Sequence, residues 1–123
     1  MQAVDGMGGF TAFPVRFSDL GHPQKTSYHL LHFWDVADCF DEEGSSFEVI
    51  PKDDPIRPDQ AGNYRSVTRL VIDPKRTEGK HIFRIARLGG RVIVSEKVKK
   101  RFEAKKVQGA VFECVTGDDQ ALS

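Results

Sequence analysis

The chain predicts an α+β fold, a mostly antiparallel sheet with one or two helices packed on a face. Three observations carry this. Short runs rich in β-branched and aromatic residues recur along the 123 residues. Turn-forming Gly, Pro and Asp separate them, and a single stretch near the C-terminus has helical spacing. The length is that of one ordinary domain, which can bury a continuous core without a disulfide or metal.

The first nine residues are small and glycine-rich and read as a loose terminus. Residues 10–17 (FTAFPVRF) suit a short edge strand, limited by Pro14. The reading divides the chain into a flexible segment at 1–26 with that edge strand, a folded unit at 27–115 and a disordered polar tail at 116–123. Residues 19–26 hold Gly21, His22 and Pro23 and read as a turn or loop. Residues 27–36 (SYHLLHFWDV) suit a buried strand. Residues 38–46 (DCFDEEGSS) are a loop by composition, and 47–50 (FEVI) alternate as a short strand. Pro51, Pro55, Pro58 and Gly62 mark 51–63 as a long, mobile connection. Residues 66–73 alternate as a strand ended by Pro74. Residues 81–86 and 91–94 form a hairpin about Gly89 and Gly90. Ser95 is an N-cap with Glu96 in the first turn, so a helix is predicted over 96–106, stopped by Gly109. Val98, Phe102 and Val107 form its apolar stripe. Residues 110–115 (AVFECV) close the fold as a strand.

Composition also bounds the function. No run approaches the ~18 apolar residues of a membrane span. The N-terminus lacks the basic start and apolar run of a secretory signal. Two cysteines, Cys39 and Cys114, are too few for a disulfide framework, so the chain reads as cytosolic with both thiols reduced. Cys114, in an apolar run, reads as a small buried hydrophobe. Net charge is zero, yet up to Ala61 there are 11 acids against 4 bases, and from Gly62 onward 7 against 14. Such halves either present charged binding faces or fold against and neutralise each other.

No nucleophile elbow, phosphate loop or metal-ligand spacing is present, so no cofactor and no metal is expected. His29 and His32, three apart, fall on opposite faces of a strand. His29, His81, Arg84 and Ser95 are the residues from which a small hydrolase or nuclease site would be assembled, though nothing in their spacing singles them out. Six bases over 97–106 offer phosphate contacts, but Phe102 belongs to the apolar stripe and no stacking platform accompanies them. A nucleic-acid partner is therefore not favoured. The segment from Asp35 to Glu43 is the stronger candidate. Asp38, Asp41, Glu42 and Glu43, with Asp53 and Asp54 behind them and Trp34 and Phe40 alongside, form an acidic, aromatic-rimmed surface suited to a basic protein partner. The strand edge over 10–17 would also favour self-pairing into a homodimer.

Several motifs in order extend this reading. YHLLHFWDVADCFD leads into an acid-then-serine loop at 41–46. VTRLVID precedes Ile82-Phe83-Arg84, Val94-Ser95-Glu96 steps into the helix, and Gly109 and Phe112 open the closing strand. Over 27–115 the chain resembles an immunity-protein family of bacterial polymorphic-toxin loci, first described as a domain of unknown function and named for a myxobacterial immunity protein. The shared residues look structural, and no catalytic residue carries over. The resemblance implies a non-catalytic protein that binds and neutralises a cognate toxin in the producing cell. The acidic half would suit a basic toxin.

Overall fold

The computed structural model describes residues 1–15 and 28–116, and the α+β reading holds. The turn read at 19–26 and the tail beyond Thr116 lie outside the described residues. In chain order the elements are β1 (Phe10–Val15), β2 (Tyr28–Phe33), β3 (Val36–Ala37), β4 (Ser46–Val49), β5 (Tyr64–Arg69), β6 (Ile82–Ile85), β7 (Val92–Val94) and α1 (Glu96–Ala104). β1 and β2 form an antiparallel ribbon, as do β4 and β5. β6 lies at the centre of a three-stranded sheet, parallel to β3 and antiparallel to β7.

β6 organises the core because its two faces feed two clusters. Phe83 and Ile85 point to one side, with Cys39, Phe40, Tyr64, Leu70, Ile72 and Ile93. Ile82 points to the other, with Val4, Met7 and Val98. Successive strand residues alternate faces, so apolar residues at 82, 83 and 85 supply both sides of a two-sided environment, and Arg84 is the one polar position in the strand.

The helix forms where its cap predicts. The Ser95 hydroxyl accepts from the Val98 N–H at 3.4 Å, and Val98 is fully buried. It ends sooner than Gly109, however. Lys106 takes a left-handed φ of 55°, and the Val107 N–H bonds back to the Phe102 carbonyl at 3.0 Å. That is a Schellman ending with Lys in the place glycine favours. Val107 consequently leaves the apolar stripe and is exposed.

Other expectations need correction. The N-terminal nine residues are not loose: Ala3, Val4 and Met7 are buried. Gly9 explains how they enter. Its φ is 82°, and a Cβ there would collide with the Ile82 carbonyl. Its own carbonyl accepts from the N–H groups of Trp34 and Asp35. Only glycine fits this crossing of three segments.

The buried strand read at 27–36 is mostly exposed, because in the described residues β2 pairs with β1 alone and only one face meets the core. Residues 110–115 form no ladder; Val115 lends its carbonyl to the Ile72 N–H at 2.8 Å, while Val111 is 97% exposed. Cys114 is exposed rather than packed, whereas Cys39 is buried, and burial pushes its thiol pKa up. The alternation read at 66–73 breaks, since Leu70, Val71 and Ile72 are buried in succession. Chain flanks them on both sides: Val71 bonds to Asp41 and Ser45, and Ile72 bonds to Val115. Earlier in the same stretch, a register shift between β4 and β5 accompanies a φ of 52° at Ser66.

The 51–63 connection is pinned rather than open. Ile50 donates to the Asn63 carbonyl, and Gly62 donates to the Ile50 carbonyl, each at 2.9 Å. Inside the closed loop Asp54 is buried, accepting from the N–H of Ile56 at 2.9 Å and of Arg57 at 3.4 Å, and pairing with Arg65 at 2.9 Å. The Ile56 N–H, with Arg57 and Arg65 adding to it, holds the carboxyl below the usual carboxylate range. A depressed folded value stabilises the fold above the ordinary aspartate pKa of about 3.9, and that contribution is lost as pH falls through the folded value. Asp54→Asn should therefore be less stable than the native chain at neutral pH. The gap should begin to narrow below about pH 4 and close as pH falls through the lower folded value, in urea unfolding followed from neutral to acid pH. An equal gap at acid and neutral pH would show that the carboxylate charge is not what holds the loop.

Candidate functional site: an acidic cleft

The acidic loop is built from the strand that precedes it. In β3 and its extension Ala37 and Cys39 turn inward, so Asp38 between them projects outward. Phe40 then enters the core and bridges Ile72. Asp41 bonds through its N–H to the Val71 carbonyl at 2.9 Å. Its carboxylate accepts from the N–H groups of Glu43 (3.1 Å) and Gly44 (3.2 Å), an Asx-type reversal that brings the chain round. The fit is close at Gly44, where a Cβ would lie 3.0 Å from the Asp41 carboxylate and 3.3 Å from the Val71 side chain, so a larger residue requires those side chains to shift. Ser45 closes the loop by exchanging hydrogen bonds with the Val71 backbone.

This turn leaves Asp38, Asp41, Glu42 and Glu43 around one cleft of about 360 Å³, shared with Tyr64, Arg76 and Arg87. A buried aromatic stack backs it. The Phe40 and Tyr64 rings stack at 4.0 Å, and Phe47 meets both edge-on. Tyr64 donates its hydroxyl to Glu42 at 2.7 Å. Burial, with that acceptor adding to it, raises the phenol pKa to about 12, so it remains a donor throughout the physiological range. Arg87 crosses the Tyr64 ring with its guanidinium 5.1 Å from the centroid and reaches Asp38 at 3.4 Å. Its φ of 65° is uncommon outside glycine, and its carbonyl accepts from the Tyr64 N–H at 2.8 Å. Arg76 spans Asp73 and the Phe40 carbonyl. Four carboxylates face two guanidinium groups, so the cleft keeps an acidic surplus.

The other predicted contact residues fall elsewhere. Asp54 is turned inward, as described above. Asp53 is exposed on the 51–63 connection and does not line the cleft. Trp34 is half-exposed beside the β1–β2 ribbon, its indole N–H donating to Thr11 at 3.1 Å. Phe40 lies in the core behind the cleft rather than at its rim. The two charged halves do meet: four of the seven ion pairs in the described residues join them, through Arg65, Lys80 and Arg87. Neutralisation is partial, and the 38–43 loop is where acid remains in excess.

The hydrolase constellation is divided. His81 and Ser95 are bonded at 2.8 Å, but that hydroxyl also caps α1. His29 lies opposite Pro14 in the β1–β2 ladder, while Arg84 lies on β6. The acidic cleft is lined by none of the four, and the groove between β7 and residues 111–116 takes in only Ser95. On the basic helix, Lys99 pairs with Glu103, and Arg101 holds the Asp5 carbonyl at 2.7 Å. No cluster of metal-binding side chains occurs among the described residues, and no helix there is long and apolar enough to cross a membrane.

Sequence reasoning found the four acids because they are consecutive or nearly so. It missed Tyr64 and Arg87, which reach them across 22 and 49 positions with no local signal.

The chain thus carries a charged cleft on a mostly antiparallel α+β fold. Residues 1–117 match the model of the Immunity protein family (Imm11), and the chain belongs to that family. The match takes in β1 and the N-terminal segment, which the motif resemblance over 27–115 left out. No curated protein and no solved structure matches the chain.

Proposed function

We propose that this immunity protein acts without catalysis, binding and neutralising a cognate toxin inside the cell that makes it, and that the toxin presents a basic surface to the cleft at Asp38, Asp41, Glu42 and Glu43. Membership of the immunity family supports the role. The observation that carries the choice of surface is the convergence of four carboxylates on one concavity. Such a surface steers a basic partner electrostatically and gives an inserted Lys or Arg carboxylates to pair with. Trp34, Asp53 and Asp54 are left out of this contact.

The test is co-purification of the tagged chain with the products of neighbouring genes, followed by mass spectrometry and a growth assay. The expected result is a stoichiometric basic protein that is toxic alone and harmless when this chain is co-expressed. A folded preparation that captures no neighbour product, and does not relieve any of their toxicities, would overturn the reading.

A further inference from the structure

The β1–β2 ribbon has a second face that nothing above uses. Residues opposite one another in an antiparallel ladder share a face, as do alternate residues along each strand. Phe13 pairs with Leu30, and Val15 pairs with Tyr28. These four therefore lie together on one side, with Thr11 and His32 next in register. Trp34 joins them, tied to Thr11 through its indole N–H. All five large side chains keep a third or more of their surface exposed: Phe13 is 49% exposed, Val15 36%, Tyr28 53%, Leu30 62% and Trp34 51%. The opposite face is the one that packs inward, through Phe10 and Phe33, onto Ile82 and Val98.

Half-exposed large side chains of this kind present on the order of 500 Å² of contiguous surface, at the upper end of what a monomer leaves open. A two-stranded ribbon is also marginal unless its faces are covered.

The composition selects the occupant. The chain as a whole is 29% charged, yet among the described residues this face carries no Asp, Glu, Lys or Arg. A charged partner such as the basic toxin proposed above would lose the solvation of its charges here without finding counter-charges. A second copy presents the same neutral, apolar face, so a two-fold contact is complementary by construction and sets no like charges against each other. Two such faces bury at most about 1,000 Å² in total, at the threshold for a specific interface, which suits a weak, reversible contact. We infer that the outer face of the β1–β2 ribbon is a self-association surface on which two copies meet face to face as a reversible homodimer. Its location is separate from the acidic cleft, and it does not depend on the toxin reading.

The experiment is sedimentation equilibrium of the full chain between about 1 and about 300 μM, at low salt and at about 0.5 M NaCl. The native protein should show a monomer–dimer equilibrium that the added salt does not disperse. Leu30→Asp should weaken it about tenfold or more, with an unchanged circular dichroism spectrum, since each copy brings an unpaired carboxylate to the contact. Val111→Asp, at an exposed apolar position away from the ribbon, should dimerise like the native chain. A native chain monomeric at the highest concentration would overturn the inference. So would a dimer dispersed by salt, which would place association on the charged halves, or a folded Leu30→Asp variant that dimerises unchanged. Loss of toxin capture by Leu30→Asp while the native chain is monomeric would overturn it too, and assign the face to the toxin.

Discussion

Phe40→Ala should lower the melting temperature by about 10 °C or more. Phe40 is 2% exposed, stacked 4.0 Å from Tyr64, edge-on to Phe47 and bridged to Ile72. Truncating a buried phenylalanine costs about 3–5 kcal/mol, part from lost transfer energy and part from the cavity left behind. A domain of ordinary stability has only about 5–15 kcal/mol to lose, and at this size each kcal/mol moves the midpoint by several degrees. Phe40→Leu keeps most of the apolar volume and should lose less than half as much. The effect reaches the cleft, because Tyr64 would lose the ring against which it lies and Glu42 would face a less fixed hydroxyl. Thermal and urea unfolding followed by circular dichroism would check this. A midpoint within about 2 °C of the native value would show that the aromatic stack adds little to the fold.

What the sequence made legible follows from the range of each interaction. The Ser95 cap acts over three residues, and the β6 pattern and the hairpin after it are nearly as local; all appear close to where they were read. Burial was harder. Leu30 and Leu31 are the same residue type side by side, yet one faces solvent and the other is half-buried, because the core covers one side of the ribbon. The AVFECV run has the composition of a strand but forms none, and its Val115 carbonyl accepts from the Ile72 N–H. The 51–63 segment reads as mobile because its prolines and acids carry no local hint that Asp54 will fold inward to hold the loop. Gly109 looked like the helix stop because the sequence favours glycine in left-handed positions, and Lys106 takes that conformation instead. In the site the acids were readable as a run. The residues that give the run a shape, Tyr64 and Arg87, come from β5 and from the turn after β6, and are placed by tertiary pairing alone.

Reversing charge at Asp38 and Glu43 should cost the proposed toxin complex about a hundredfold in affinity. The geometry decides which acids to change. Asp41 holds the turn through the N–H groups of Glu43 and Gly44, and Glu42 accepts from the buried Tyr64 hydroxyl. Lysine at either position would disturb the fold as well as the charge. Asp38 and Glu43 lie on the exposed rim, where lysine is tolerated. Asp38→Lys also frees Arg87 and sets two cations beside each other, which deepens the repulsion of a basic partner. Two reversals at about 1.4 kcal/mol each give the hundredfold figure, modest for close charge pairs across an interface. Much of the loss should fall on the association rate. The native rate should decline steeply with added salt and the double variant's rate much less, because the steering charge has been removed. Asp53→Lys is the internal control: it adds the same charge outside the cleft and should cost far less. If the double variant is folded and binds with native affinity and native salt dependence, the toxin docks on another surface.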